Sequence, residues 1–243
     1  MPLNTTKQVE YPIILQLKDA LIVSCQASDG EPLCAPEHIK ALSLCAITGG
    51  AKGLRLEGTE NIQAVRDITK LPIIGLAKTK GLSEKERLKQ VYITATFAEA
   101  SELATAGADI IALDATDRPR PDGNTASELI AQIHKELKLP VMADISTENE
   151  ALAAAAAGAD LISTTLFGYT NETFVPADHG PALDLLKKVC GVVQAPVILE
   201  GRIWHPEEVT QAFKLGAYAV VVGSAITRPH LITARFVKAI LNN

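Results

Sequence analysis

The sequence lacks the patterns that mark several large classes of protein. Its four cysteines form no CxxC pair and no Cys/His cluster with metal-ligand spacing, so no metal site is predicted. It has no run of 18 apolar residues, no charged N-terminal region followed by an apolar stretch, and no Gly/Ser-rich or Pro-rich spacer. We therefore expect one soluble, cytoplasmic domain spanning residues 1–243, with reduced cysteines and no membrane partner.

Basic residues are scarce relative to acidic ones. The chain has 23 Lys and Arg against 28 Asp and Glu, which gives a formal net charge of −5. A general nucleic-acid binder would show a basic stripe, so that class is not predicted. Hydrophobic residues make up 47% of the chain, which is enough for a sizeable core and excludes a disordered protein. A local cationic pocket for a small anion remains compatible with this overall acidity.

Strand patterns and helix patterns alternate along the chain. Eight strands are predicted, at residues 21–25, 53–57, 72–78, 109–114, 140–144, 161–165, 196–200 and 218–222. Helices are predicted at residues 9–20, 36–47, 59–69, 97–106, 124–137, 147–157, 178–190, 206–215 and 230–241. Strands that alternate with helices form parallel sheets, whose strands are apolar on both faces. Between the third strand and the next helix, residues 79–90 are predicted to be a polar loop on the active face. Residues 91–94 are predicted to be a short extended stretch that is not a barrel strand.

A repeated junction supports this interpretation. Its three copies are Ala106–Ile110, Ala157–Leu161 and Leu215–Ala219. In each copy a glycine able to adopt a left-handed conformation ends a helix, and a strand begins two residues later. At this length, eight such units predict an α/β fold of the (β/α)8 TIM-barrel type, with an N-terminal extension and helix (1–20) closing the bottom. An open doubly wound sheet is the alternative, but no GxGxxG follows the first strand, which weakens a dinucleotide-binding version.

The residues that end the predicted strands are strongly polar. The carboxyl ends of barrel strands meet at one rim, which carries the chemistry in this fold. The rim residues are Gln26, Arg55, Glu57, Lys78, Asp114, Asp144, Thr165, Glu200 and Gly223. A rim that only formed loops would carry more Asn, Gly and Ser. We therefore predict an active site at this end of the barrel.

Lys78 is the first candidate for a catalytic base. It ends an apolar strand, where an ammonium group can be partly dehydrated and can act as a base or form an imine near neutral pH. None of the five histidines falls at a strand end, and no GxSxG motif offers an activated serine. The base is therefore expected to be Lys78 or a rim carboxylate. The alternative is that Lys78 only caps its strand and points into water.

The loops after the last two strands have the composition of a phosphate site. Loops at these positions, with a short helix that follows, commonly bind phosphate in this fold. Gly201 and Gly223 would let backbone N–H groups approach the anion, and Ser224 would add a donor. Arg202 and Arg228 would supply positive charge, because a guanidinium matches the geometry of phosphate. The alternative is that the glycines only form tight turns.

Seven ordered motifs together resemble the N-acetylmannosamine-6-phosphate 2-epimerase family. They are Leu21–Gln26, Leu54–Gly58, Ile73–Lys78, Asp114–Pro121, Thr164–Thr170, Glu200–Arg202 and Gly223–Arg228. The resemblance runs from about Leu21 to the end of the chain, while the lead of about twenty residues and the 79–90 loop are longer than the family pattern. It implies an isomerase that interconverts N-acetylmannosamine 6-phosphate and N-acetylglucosamine 6-phosphate in amino sugar and sialic acid catabolism. It also implies that no metal, nucleotide or other cofactor takes part.

The resemblance assigns roles to individual residues. It implies Lys78 as the acid/base at C2 of the sugar and Glu200 as its catalytic partner. Gln26, Arg55 and Asp144 would hold the sugar and its N-acetyl group, and the phosphate would lie on Gly201, Arg202, Gly223, Ser224 and Arg228. This chemistry removes the proton α to an aldehyde and returns it to the other face, so it needs a base and a donor for the enolate oxygen. The expected partner is the sugar phosphate. A homodimer is the alternative to a monomer.

Two other functions remain open at this stage. In the first, Lys78 forms a Schiff base with a sugar-phosphate carbonyl, as in class I aldolases, and the protein is a lyase. In the second, the barrel binds a sugar phosphate without turnover, since a fold does not fix a function. Borohydride trapping on Lys78 separates the lyase from the epimerase. A sensor would instead bind tightly without turnover and keep that binding after Lys78→Ala.

Overall fold

A computed structural model describes residues 11–28, 30–176 and 178–241 of the chain. Eight parallel strands close into a barrel in sequence order, so the predicted (β/α)8 fold is confirmed. The strands are β1 Ala20–Cys25, β2 Gly53–Glu57, β3 Ile73–Leu76, β4 Ile110–Asp114, β5 Val141–Asp144, β6 Leu161–Ser163, β7 Val197–Glu200 and β8 Ala219–Val222. Strand β1 pairs in parallel with both β2 and β8, which closes the ring and excludes the open sheet.

Helices connect the strands and surround the barrel. They are α1 Pro12–Leu15, α2 Pro36–Thr48, α3 Thr59–Arg66, α4 Glu84–Arg87, α5 Phe97–Ala106, α6 Ala126–Gln132, α7 Glu148–Ala156, α8 Leu183–Val192, α9 Pro206–Lys214, α10 Ser224–Thr227 and α11 Pro229–Leu241. A π-helix, Ile133–Leu137, continues α6, and a 3-10 helix, Thr164–Leu166, follows β6. No helix within the described ranges is long and apolar enough to cross a bilayer.

The repeated glycine junction has the geometry that the sequence predicts. Gly107, Gly158 and Gly216 have φ angles of +106°, +92° and +101°, in the left-handed region where a side chain would be strained. Several helices begin with a reciprocal capping box, as at Thr96 and Glu99 before α5, which satisfies the free amides of the first turn. The helix boundaries are therefore encoded locally.

Several predicted boundaries are wrong. The predicted strand 161–165 ends at Ser163, because the Thr164 hydroxyl bonds to both the N–H and the C=O of Glu200 and the chain turns into the 3-10 helix. The predicted helix 178–190 begins only at Leu183. The loop predicted at 79–90 contains α4, which a capping box between Ser83 and Glu86 stabilises. Within the predicted helix 9–20, only Pro12–Leu15 is helical among the described residues, and residues 9 and 10 lie outside them.

Alternate strand residues face the interior of the barrel and the surrounding helices. The interior cluster contains Ile22, Ile74, Ala112, Met142 and Ile198 from five different strands. Their sequence neighbours pack in a second cluster between the strands and the helices. This period of two follows from the pleat of a strand. It continues to the carboxyl ends, where the interior positions become polar.

The N-terminal segment closes the amino end of the barrel. Ile14 and Leu17 are buried in the interior cluster, and Leu17 is fully covered. The Tyr218 hydroxyl, just before β8, donates a hydrogen bond of 3.1 Å to the carbonyl of Ile14. The expected closure of the bottom is therefore confirmed for the described part of this segment, and the opposite end carries the polar side chains.

Candidate active site

Polar side chains fill the carboxyl mouth of the barrel because they continue the interior-facing register of each strand. Ser24 lies two residues after Ile22 in the sequence, and Gln26 lies two residues after Ser24. The same step of two leads from Leu76 to Lys78 and from Ile198 to Glu200. Since each strand alternates its faces, these side chains point toward a common space.

Arg55 lies at the centre of this mouth and is only 1% exposed. Its guanidinium bonds both oxygens of Asp144, at 3.0 Å and 2.5 Å, and one oxygen of Glu200 at 2.6 Å. The Thr165 hydroxyl donates to Asp144 at 2.7 Å and lies 3.1 Å from Glu200. Burial acts to lower the pKa of Arg55, but the two carboxylates outweigh it and raise that pKa. The arginine is therefore a fixed positive charge that orders both acids.

Among the acids of this cluster, Glu200 has the pKa that bears most directly on proton transfer. Burial raises the pKa of Glu200 to about 7, and the nearby Asp144 carboxylate raises it too. The Arg55 guanidinium and, more weakly, the Lys78 ammonium act in the opposite direction. Lys78 and Glu200 therefore lie at the same carboxyl rim of the barrel. A carboxyl with a pKa near neutrality can both accept and release a proton under physiological conditions.

Lys78 is held by two side chains on the other side of the mouth. Its ammonium donates to Gln26 at 2.7 Å and to Glu57 at 2.8 Å, and Gln26 in turn donates to Ser24 at 2.7 Å. The side chain of Lys78 is 28% exposed, so its ammonium reaches the open part of the mouth. The prediction that Lys78 points toward the other rim residues is supported by these contacts. The simple strand cap pointing into water is not.

The predicted phosphate residues divide into two groups. Gly201, with φ at +106°, and Gly223 lie at the ends of β7 and β8, and Ser224 begins α10. The guanidinium of Arg202 instead donates to the carbonyls of Phe167 and Gly168, at 2.6 Å and 3.2 Å. Arg228 forms an ion pair of 3.2 Å with Glu31. Both arginines therefore have protein partners in this structure, whereas the glycines line the rim.

The segment Asp117–Pro121 orders loops through its two arginines. Arg118 forms an ion pair of 2.5 Å with Asp114 and also donates to the backbone carbonyls of Arg87 and Tyr169. Arg120 donates to the carbonyls of Thr94, Ala95 and Asp114. These two arginines connect the loops that follow β3, β4 and β6.

Residues 91–94 form no barrel strand, as the sequence predicts, but they pack against the barrel. Ile93 forms an antiparallel bridge with Lys78 and is buried in the interior cluster, against which Tyr92 also packs. The apolar alternation of Val91 and Ile93, both buried, is the sequence signal for this placement. This sequence signal is weak because no helix precedes the stretch. Glu57, although at the predicted rim, was likewise given no role by sequence.

Within the described ranges, no group of three or more His, Cys, Asp or Glu residues could hold a metal ion. The closed parallel barrel, with ionisable side chains gathered at its carboxyl rim, defines a (β/α)8-barrel enzyme. The family model described as "Putative N-acetylmannosamine-6-phosphate epimerase" matches residues 39–242. The chain belongs to this family.

Curated relatives and solved structures agree with this assignment. A protein of Caldanaerobacter subterraneus named "Putative N-acetylmannosamine-6-phosphate 2-epimerase" is 45% identical over 94% of both chains. A relative of the same name from Clostridioides difficile is 44% identical over 93% of this chain and 97% of its own. The structure of N-acetylmannosamine-6-phosphate 2-epimerase from Clostridium perfringens has a TM-score of 0.86 and 39% identity, covering 97% of this chain and 100% of that one. Thiamine phosphate pyrophosphorylase from Pyrococcus furiosus, at 18% identity over 88% of this chain and 89% of its own with a TM-score of 0.57, shares the fold.

Proposed function

We propose that this protein is an N-acetylmannosamine-6-phosphate 2-epimerase that inverts C2 of the open-chain sugar phosphate through an enolate. The observation that carries the proposal is that the carboxyl rim holds both the Lys78 ammonium, bonded to Gln26 and Glu57, and the Glu200 carboxyl, whose pKa is raised to about 7 beside the buried Arg55. Family membership supplies the substrate class. The mouth supplies Glu200, whose pKa of about 7 lets it accept and release a proton near neutral pH.

The reaction needs two proton-transfer groups and one electrostatic stabiliser. The C2–H bond breaks, its electron pair forms the C1=C2 double bond, and the aldehyde oxygen becomes the enolate oxygen. We infer that Lys78 acts as acid/base at C2 and that Glu200 is its partner on the other side of the sugar. An ammonium or guanidinium in this water-poor mouth stabilises the enolate more than water would.

The remaining polar residues position the substrate. Gln26 holds the Lys78 ammonium through its side-chain oxygen and would face the sugar beside it. Both terminal nitrogens of Arg55 bond to Asp144 or Glu200, so we infer that it acts on the sugar mainly through its charge and by fixing these acids. Asp144, held at both oxygens, would accept a hydrogen bond from the sugar or its N-acetyl group.

We infer that the phosphate lies at the ends of β7 and β8, on backbone amides of Gly201 and Gly223 and on the Ser224 hydroxyl. A Cβ atom at Gly223 would lie 3.3 Å from the Cβ atom of Ser24, so a side chain there would crowd the mouth. Arg228, 23% exposed in its ion pair with Glu31, would supply positive charge from the rim. Arg202 supports the site through the loop after β6 that it holds. Binding energy from the phosphate would orient the reacting carbon.

The proposal is tested by incubating the protein with either 6-phosphosugar in deuterated water. The expected result is the other epimer with deuterium at C2. Lys78→Ala should abolish both signals, whereas Lys188→Ala, at an exposed position on α8, should retain them. Absence of both products with wild-type protein would refute the epimerase. A borohydride-trapped adduct on Lys78 would indicate a lyase instead, and tight binding without exchange would indicate a sensor.

We also propose that the enzyme is cytoplasmic and forms a homodimer through α11. All four cysteines are free, as expected for a reducing compartment. Phe236, Ile240 and Leu241 on α11 are 72%, 72% and 78% exposed, an unusual apolar surface for a monomer. Sedimentation analysis should give twice the monomer mass, and the pair of changes Phe236→Ser and Ile240→Ser should give the monomer. A wild-type monomer at micromolar concentration would refute the dimer.

A further inference from the structure

The segment between β3 and α5 folds back over the mouth of the barrel and is fixed to Lys78. Ile93 pairs with Lys78 in an antiparallel bridge. The Tyr92 carbonyl accepts a 2.9 Å hydrogen bond from Thr79 N–H, and Asp114 N–H donates to the Ile93 carbonyl at 2.9 Å. The backbone of Tyr92 is therefore held between the strand that carries the proposed base and the end of β4.

The ring of Tyr92 is clamped in place at this position. It packs against the interior cluster of the barrel, and the guanidinium groups of Arg118 and Arg87 lie 5.4 Å and 5.9 Å from its centroid. Arg118 is itself fixed by its ion pair with Asp114 and by a 2.9 Å hydrogen bond to the Thr116 hydroxyl. Such contacts leave the ring little freedom, so the hydroxyl group has a defined position.

The Tyr92 side chain lies between the interior cluster and the ion pair of Arg118 with Asp114. Burial raises the pKa of Tyr92, and the Asp114 carboxylate raises it further, while Arg118 acts in the opposite direction. Asp144 also acts on it, and Tyr92 acts in turn on Arg55. The phenol therefore stays neutral and keeps its proton at physiological pH. No described residue accepts a hydrogen bond from this hydroxyl, although Tyr92 is only partly exposed.

The Tyr92 hydroxyl is a neutral donor, held in position near the proposed catalytic groups and without a protein acceptor. Such a group is suited to bind a ligand oxygen. We propose that Tyr92 contacts the substrate and donates a hydrogen bond from its hydroxyl to a hydroxyl oxygen of the sugar phosphate in the mouth of the barrel. The proposal rests on the proposed function for the identity of the sugar. It adds a substrate contact from a segment that is not one of the eight barrel strands.

The test compares Tyr92→Phe with wild-type protein, because this change removes only the hydroxyl. Tyr218→Phe is the matched control, since the Tyr218 hydroxyl donates to Ile14 at the opposite end of the barrel. We expect Tyr92→Phe to lower kcat/KM and the calorimetric affinity for N-acetylmannosamine 6-phosphate about five- to tenfold, as expected for one neutral hydrogen bond. Tyr218→Phe should leave both values unchanged.

A panel of monodeoxy analogues of the sugar phosphate separates a contact from a structural effect. The penalty of Tyr92→Phe should vanish for the one analogue that lacks the accepting hydroxyl. Equal behaviour of Tyr92→Phe and wild-type protein, or the same penalty with every analogue, would overturn the proposal. Calorimetry separates the Tyr92 proposal from the epimerase proposal. A wild-type protein that binds the sugar phosphate without turnover refutes the epimerase. The ratio of the affinities of wild-type protein and Tyr92→Phe then still decides whether Tyr92 contacts the sugar. A wild-type protein that binds none of these sugars overturns both.

Discussion

Replacing Glu200 with glutamine should change how the stability of the protein depends on pH. The carboxyl has a pKa of about 7 in the folded protein and an ordinary value of 4.5. The folded state therefore holds this proton more tightly than the unfolded chain does. The stability that the proton contributes is fully present below pH 4.5 and is lost as the pH rises through 7. Glutamine has the same shape but does not titrate.

The magnitude follows from the two pKa values. By linkage, the free energy of unfolding of wild-type protein should fall relative to that of Glu200→Gln by about 2.5 kcal/mol between about pH 5 and about pH 9. The variant should therefore gain relative stability at alkaline pH while losing epimerase activity. A gain in stability with a loss of activity is typical of a group that the protein keeps for function.

Urea unfolding at several pH values, followed by circular dichroism, measures this difference. Glu102→Gln is the matched control, because Glu102 is exposed on α5, and its difference from wild type should not vary with pH in this way. If the difference between Glu200→Gln and wild type were the same at about pH 5 and about pH 9, Glu200 would not bind its proton near neutrality. The proposed role of Glu200 in proton transfer would then lose its physical basis.

Three further predictions follow from the structure. Arg55→Met should lower the free energy of unfolding by about 3–5 kcal/mol in urea, because it leaves Asp144 and Glu200 buried without their cation; a loss below about 1 kcal/mol would contradict this. Gly75→Ala should destabilise the barrel by about 1–3 kcal/mol, since the new Cβ would lie 2.7 Å from Ala108 Cβ. Gly191→Ala, with open space around it in α8, should stabilise the protein by about 0.5–1 kcal/mol. Similar melting temperatures for the two variants would contradict the packing argument. Arg202→Met should speed amide hydrogen exchange of the loop after β6, where its guanidinium holds two carbonyls; unchanged exchange would show that the loop is fixed by other contacts.

Local sequence signals predicted most of the elements. The glycines at 107, 158 and 216 mark where helices end, because only glycine adopts their left-handed geometry without strain. The strands are apolar on both faces, so their positions could be read without knowing their neighbours. Where a boundary was wrong, as at Thr164, a side chain bonded to the backbone of another strand, and no local pattern encodes such a bond.

The candidate site was predictable as a set of positions but not as a network. The step of two along each strand already selects Lys78 and Glu200 as interior residues at the same rim. It does not say that Glu57 holds the lysine or that Arg202 turns away to the loop after β6. Those choices depend on distances between side chains of different strands.

Strand periodicity and helix caps act over a few residues, so the order of the elements and the rim that carries the polar residues could be predicted from the sequence. Closure of the barrel was settled by the pairing of β1 with β8. Which charges pair, how far burial raises the pKa of Glu200 and where Tyr92 packs all depend on contacts between distant segments. Electrostatic energies depend on separation and on the exclusion of water. Both quantities exist only once distant segments have come together.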